Sequence, residues 1–133
     1  MRRATLETAI ARRSLPKRGD CFQRECPGRA VLAHVAGRWG SLVVGALRRT
    51  KTLRFSELRR QIDGISEKML AQTLRELERD GLVSRRSHNV VPPRVDYELT
   101  ALGIGVADHV EALLCWIDGH VRDFVKAQRS YDR

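Results

Sequence analysis

Two short amphipathic segments joined by Asp63-Gly64-Ile65-Ser66, then two alternating stretches either side of Pro92-Pro93, predict a mainly α chain with a small β-wing. That is a winged helix-turn-helix domain, with N- and C-terminal helices forming a dimer interface. Charge is the third observation. Among 133 residues, 25 Lys+Arg face 16 Asp+Glu, a formal net charge of +9. Residues 1–94 sum to +12 and residues 95–133 to −3. A basic body with an acidic tail suggests a polyanion on one side and a different contact at the end. The expected organisation is an N-terminal arm or helix over 1–20, the winged domain over 21–100, and a dimerisation helix over 101–133.

Composition sets the class. At 42% apolar and 31% charged the chain can bury a core and stay soluble. No run approaches the roughly 18 apolar residues that a spanning helix needs. Met1-Arg2-Arg3 has charge with no apolar stretch behind it, so no secretory signal is expected. Three cysteines, an odd number, point to reduced thiols in a cytoplasmic protein rather than a disulfide framework.

The elements follow in order. Leu6, Ala9, Ile10 and Arg13 lie at helical spacing, predicting a helix over 3–13 that stops before Pro16. Pro27 opens a second helix, with Ala30, Val31, Leu32 and Val35, and Gly37 closes it. Trp39, Leu42, Val43, Ala46 and Leu47 make the next apolar stripe. Phe55, Leu58 and Ile62 share one face of a short helix, for which Ser56 is the expected N-cap. Ser66 caps the longer helix that follows, running to about Asp80 with Met69, Leu70, Leu74 and Leu77 inward. Gly81 ends it, and the period then drops to two. Leu82–Ser87 and Arg94–Leu99 read as strands, the second with Val95, Tyr97 and Leu99 alternating against Asp96 and Glu98. His88–Pro93 forms the wing tip between them, stiffened by the two prolines.

Thr100 caps a final helix expected to continue beyond Val125. Val106, Val110, Leu113, Ile117, Val121 and Phe124 recur as an a/d-like seam. A second copy of the chain would cover it; the alternative is that it folds back on the first helices. Gly119 within this helix weakens it by about 1 kcal/mol relative to alanine.

The outer face of the longer helix carries the candidate reading residues. Lys68 and Arg75 can donate to guanine O6 and N7, and Gln72 can pair with adenine N6 and N7. Ser66, with the N–H groups of the helix start, suits a phosphate, and Ser56 at the start of the preceding helix joins the same set. Arg86 and Arg94 on the wing, with Arg85 and His88, could follow the backbone or enter a minor groove. Every exposed arginine among these has a plain alternative as a solvated charge, and Arg79 can pair with Glu76 or Glu78 along its own helix.

Several segments together resemble the HxlR-type transcriptional regulators. They are Cys26-Pro27, Gly37-Arg38-Trp39, Arg54-Phe55-Ser56-Glu57-Leu58-Arg59, Gly64-Ile65-Ser66-Glu67-Lys68-Met69-Leu70, Leu74–Val83 and Pro92–Thr100, in that order. The resemblance covers residues 26 to about 120. It departs at Lys51, where a glycine is common before the Arg-Phe pair, and at Asp96, where Glu is common. It implies a bacterial, dimeric regulator related in fold to MarR-like winged helices. The function implied is sequence-specific binding of double-stranded DNA at an inverted repeat, by a homodimer acting as a repressor. Cys26 is the recurring cysteine of the resembling family, some of whose members respond to oxidants or electrophiles through it.

The residues add a physical reason for such a response. A thiol at a helix start has its thiolate favoured by the dipole, and Arg24 and Arg29 push the same way while Glu25 opposes. Cys21 could resolve a sulfenic acid on Cys26, or the pair could bridge between protomers. The alternative is that Cys26 only packs. A small apolar effector between the winged domain and the last helix is a second form of switch, with Trp39, Trp116, Val110 and Leu114 as its lining.

Other classes fit less well. Cys21, Cys26 and His34 lack structural zinc spacing, and His109 and His120 stand too far apart to share an ion. No metal site, cofactor or catalytic residue is expected, since there is no phosphate-cradling loop and no nucleophile elbow. The rival to DNA reading is a winged-helix protein-interaction module without specific readout.

Overall fold

A computed structural model describes residues 17–133. Among them, six helices and three strands run in the order α1 (Pro27–Ala36), α2 (Arg38–Arg49), β1 (Thr52–Leu53), α3 (Phe55–Gln61), α4 (Glu67–Arg79), β2 (Val83–His88), β3 (Arg94–Leu99), α5 (Ala101–Gly119) and α6 (Val121–Tyr131). The strands form one antiparallel sheet in the order β1-β3-β2. Val83 pairs with Leu99 and His88 with Arg94 at the two ends of the hairpin. The helix pair α3–α4 followed by this hairpin is the winged helix-turn-helix that the sequence predicts. The helix expected over 3–13 lies outside the described residues.

From Val31 to Arg133 the chain is one compact unit. Its core centres on Val43, Val44 and Leu47 of α2, Leu58 of α3, and Leu70, Leu74 and Leu77 of α4, all 2% exposed or less. Leu82, Ala107 and Val110 extend it toward the sheet and α5. Each fully buried leucine or valine contributes roughly 1.5–3 kcal/mol from burial alone. The core therefore holds α4 rigidly by one face, so its other face is presented in a fixed orientation.

The junctions explain how. Between α3 and α4, Gly64 adopts φ +85°, a backbone region closed to most side chains. Buried Ile65 pins the turn to the core, and the Ser66 hydroxyl accepts the Met69 N–H at 3.1 Å. At the sheet exit, Thr100 Oγ1 accepts the Gly103 N–H at 3.0 Å and donates to the Gly81 carbonyl at 2.6 Å. A Cβ on Gly103 would collide with the Leu82 carbonyl, so only glycine lets α5 start this close to β2.

Four details differ from the sequence expectations. The N-cap of α3 is Arg54, with Ser56 already in the helix, because the Glu57 carboxylate accepts the Arg54 N–H at 3.0 Å and starts the helix earlier. The final helix is broken: α5 ends at Gly119, and His120, with φ −120° and ψ 17°, separates it from α6. The His120 ring takes up the change by stacking on Trp116 at 4.0 Å, with Nδ1 2.6 Å from the Trp116 carbonyl. Strand β1 is two residues long, too short for an alternation to show. Asp96, expected on the outer face, is buried beside Tyr97.

Candidate nucleic-acid interface

The exposed face of α4 follows from its buried one. With Leu70, Thr73, Leu74 and Leu77 inward, the 3.6-residue period turns Lys68, Gln72 and Arg75 outward, and all three are exposed. Gln72 Nε2 donates to Glu76 Oε1 at 3.2 Å on the helix surface. A base edge offering better-placed partners can displace so exposed a bond. Thr73 is buried on the other side, its hydroxyl donating to the Met69 carbonyl at 2.7 Å.

Around this helix the structure brings together residues from α3, the turn and the wing. An open cleft of about 750 Å³ is lined by Ser56, Arg59, Arg60, Gly64, Ile65 and Ser66. It sets the two serines of the sequence reading on either side of one concavity. A second cleft, of about 310 Å³, is lined by Arg54, Ser56, Glu57, Arg60 and Arg94, joining the wing arginine to the start of α3. Arg86 lies elsewhere, on β2, where it pairs across the hairpin with Glu98 at 3.1 Å. Lys68, Gln72 and Arg75 line neither cleft and stand on the exposed face of α4.

Three basic residues of this surface escaped the sequence reading: Arg54, Arg59 and Arg60. The signal was present for two of them. Ser56, Arg59 and Arg60 stand at i, i+3 and i+4, so a serine expected near phosphate carries two arginines on its own face. Arg59 is partly committed, donating to Glu67 at 3.2 Å and to the Ile65 carbonyl at 3.4 Å. Two other arginines leave the basic surface altogether: Arg48 pairs with Asp108 at 2.7 Å and Arg49 with Glu111 at 2.9 Å, tying α2 to α5.

The wing is organised around Asp96. Its carboxylate accepts from His88 Nε2 at 2.8 Å and from Arg94 Nε at 3.1 Å, with Arg54 Nε at 4.0 Å. Burial pushes the Asp96 carboxyl up, but the bonds from Arg94 and His88 outweigh it and hold the group below the ordinary carboxylate range. A buried acid thus serves as the hinge pin between β3, the end of β2 and the residue before α3.

The cysteines form a separate feature. Residues 19–28 wrap one sulfur: the Asp20 N–H donates to Cys26 Sγ at 3.2 Å, and a Cβ on Gly19 would stand 2.8 Å from it. A Cβ on Gly28 would lie 3.4 Å from Cys21 Sγ and 3.6 Å from Cys26 Sγ, so the two thiols sit against the same point. Both are free, Cys21 exposed and Cys26 half-buried. Cys115 on α5 is also free, and its thiol donates to Glu111 at 3.4 Å; that bond, then burial and the Glu111 charge, raise its pKa.

Along α5 and into α6 the expected seam divides. Val110 is buried and Val106 half-buried in the chain's own core, whereas Leu113, Ile117 and Val121 are 56%, 39% and 51% exposed. Beside them an apolar groove of about 370 Å³ runs between α1, α2 and α5, with Leu32, Val35, Val110, Leu113, Leu114 and Ile117 in its wall. Of the four residues expected around an effector, Val110 and Leu114 line it and Trp39 and Trp116 do not.

The sequence matches the model of the HxlR-like helix-turn-helix family over residues 34–124. Cys21 and Cys26 precede that span. The chain is 54% identical over 102 residues to the HTH-type transcriptional regulator YtfH of Escherichia coli, covering 77% of this chain and 80% of that protein. Among solved structures, the ytfH regulator from Salmonella typhimurium superposes with a TM-score of 0.77 at 52% identity, over 85% of this chain and 99% of that one. A protein described as the redox regulator HypR in its oxidized form gives a TM-score of 0.64 at 34% identity, over 71% and 96%.

Proposed function

The chain belongs to the HxlR-like helix-turn-helix family of transcriptional regulators, and from that premise we propose that it binds double-stranded DNA sequence-specifically, as a cytoplasmic homodimer that represses transcription. The observation that carries this reading is α4: one face is locked into the core and the other presents Lys68, Gln72 and Arg75 to solvent. Rigid presentation of bidentate donors is what base readout in a major groove requires. Ser56, Ser66 and Arg94 beside the clefts, and Arg86 on the wing, supply phosphate contacts that fix register. The exposed part of the seam, Leu113, Ile117 and Val121, is the face for a second copy. Two copies would then read half-sites of an inverted repeat.

The switch we propose is thiol chemistry at Cys26. The Asp20 N–H donates to its sulfur, and oxidation proceeds through the thiolate form. A peroxide oxidises that thiolate to a sulfenic acid, releasing hydroxide, and the Cys21 thiolate then attacks the sulfenic sulfur and expels a second hydroxide to leave a disulfide. The redox regulator among the structural relatives supports this class of response. The apolar groove beside α5 favours a second reading, a small apolar effector seated against Val110 and Leu114.

The test is a fluorescence anisotropy titration onto DNA from upstream of the chain's own gene, against scrambled competitor, before and after mild peroxide. Selective binding that changes with peroxide, and no longer does so in Cys26→Ser, is the expected result. Selective binding indifferent to peroxide moves the switch to the groove. Salt-insensitive behaviour with no preference over scrambled DNA would favour a protein-docking module instead.

A further inference from the structure

The smaller cleft unites residues from three separate elements, and its chemistry is specific. Arg54 precedes α3, Ser56 and Arg60 lie on α3, and Arg94 opens β3. Three guanidiniums and a hydroxyl thus line about 310 Å³ of concave surface. The one acid in the wall, Glu57, is occupied by the Arg54 N–H at 3.0 Å. Arg60 is exposed and makes no ion pair among the described residues, so its donors face solvent. Arg94 and Arg54 are held from behind by Asp96, at 3.1 and 4.0 Å, and Asp96 is only 7% exposed. Guanidiniums converging on a cleft, steadied by a buried carboxylate, suit a tetrahedral oxyanion with several acceptor oxygens.

We propose that Arg54, Ser56, Arg60 and Arg94 form a seat for one backbone phosphodiester of duplex DNA, with Asp96 as the positioning residue that aims two of its arginines. The proposal rests on the DNA-binding reading above and deepens it. It adds Arg54 and Arg60 as contacts and gives the wing a defined register against α3. Sequence preference stays with the outer face of α4; the seat carries affinity that every duplex shares.

Salt dependence separates the parts. Each phosphate contact contributes about 0.9 to the slope of log affinity against log salt. Arg60→Ala is expected to weaken binding equally on the preferred and scrambled duplexes and to lower that slope by about 1, leaving the ratio between them unchanged. Asp96→Asn makes the sharper test, because it raises the net positive charge by one. Charge alone predicts tighter binding, whereas a positioning role predicts weaker binding with a smaller slope, in protein whose circular dichroism shows it folded. Arg94→Lys keeps the charge but loses the fork, and should recover only part of what Arg94→Ala loses.

Unchanged slopes in Arg60→Ala with preference intact would overturn the seat and leave the DNA reading standing. Tighter binding by folded Asp96→Asn would overturn the positioning role. A normal wild-type slope with no preference between duplexes would overturn the sequence-reading function and not the seat. Failure to bind any duplex would overturn both.

Discussion

Helix α4 and the α5–α6 arm carry comparable apolar stripes, yet only the first is fully used within one chain. Leu70, Leu74 and Leu77 are 1% exposed or less. On the arm, Val110 is buried, but Leu113, Trp116 and Ile117, within the next two turns, are open to solvent. A stripe that is complete in the monomer fixes an orientation, and the polar face opposite becomes a tool. A stripe left half-covered is an exposed apolar surface of the kind that marks an interaction site. The same periodic signal therefore has two meanings, and burial separates them.

That contrast is most sharply broken at its two extremes. Leu74→Ala removes a buried side chain from under the reading face and should destabilise the protein by about 2–5 kcal/mol in denaturant unfolding. Leu113→Lys with Ile117→Lys should leave the fold measured by circular dichroism intact and convert the dimer to monomer in analytical ultracentrifugation. If those lysines instead unfold the chain, the seam is an internal face. Next in size, Gln72→Ala or Arg75→Ala should lose about 1–3 kcal/mol of discrimination at one base position, read by competition among single-base variants of the preferred duplex. Equal weakening on all sequences would make these residues phosphate contacts only.

Smaller effects test the local electrostatics. The Asp96 pKa is depressed in the folded state, so its contribution is fully present above the unfolded value of about 4 and is lost as pH falls through the lower folded value. Acid melts of the wild type should show this loss, and Asp96→Asn should not. The smallest concerns thiols. Cys115 is exposed, but its raised pKa leaves little thiolate near neutral pH, so it should react with a thiol reagent more slowly than Cys26. Faster labelling of Cys115 would shift attention from the 19–28 loop to α5.

Much of this was legible in the residues. The apolar spacing from Met69 to Leu77, Gly64 in the turn, Ser66 as cap and the period change after Gly81 fixed the winged fold, because each is a local signal. What escaped was long-range or weak. The break at His120 is hidden because the seam's spacing runs through it unchanged, and a single Gly119 is tolerable inside a helix. Asp96 reads as outward by alternation. Its burial depends on His88 across the wing, Arg94 two residues back on its own strand and Arg54 before α3, a set that only the folded hairpin brings together. The start of α3 shifted because Glu57, two positions into the apolar pattern, caps the chain more effectively than Ser56. The exposure of Lys68, Gln72 and Arg75, the proposed reading residues, was visible from helical phase, whereas Arg54 joins the surface through strand pairing that a two-residue β1 does not advertise.

The most direct test of the account is a hydroxyl-radical footprint of the chain on its highest-affinity duplex. Two copies with their α4 helices in successive major grooves predict two protected half-sites, related by an inverted repeat and centred roughly 34–36 Å apart. A single protected half-site, or protection that spreads evenly along the duplex, would contradict it.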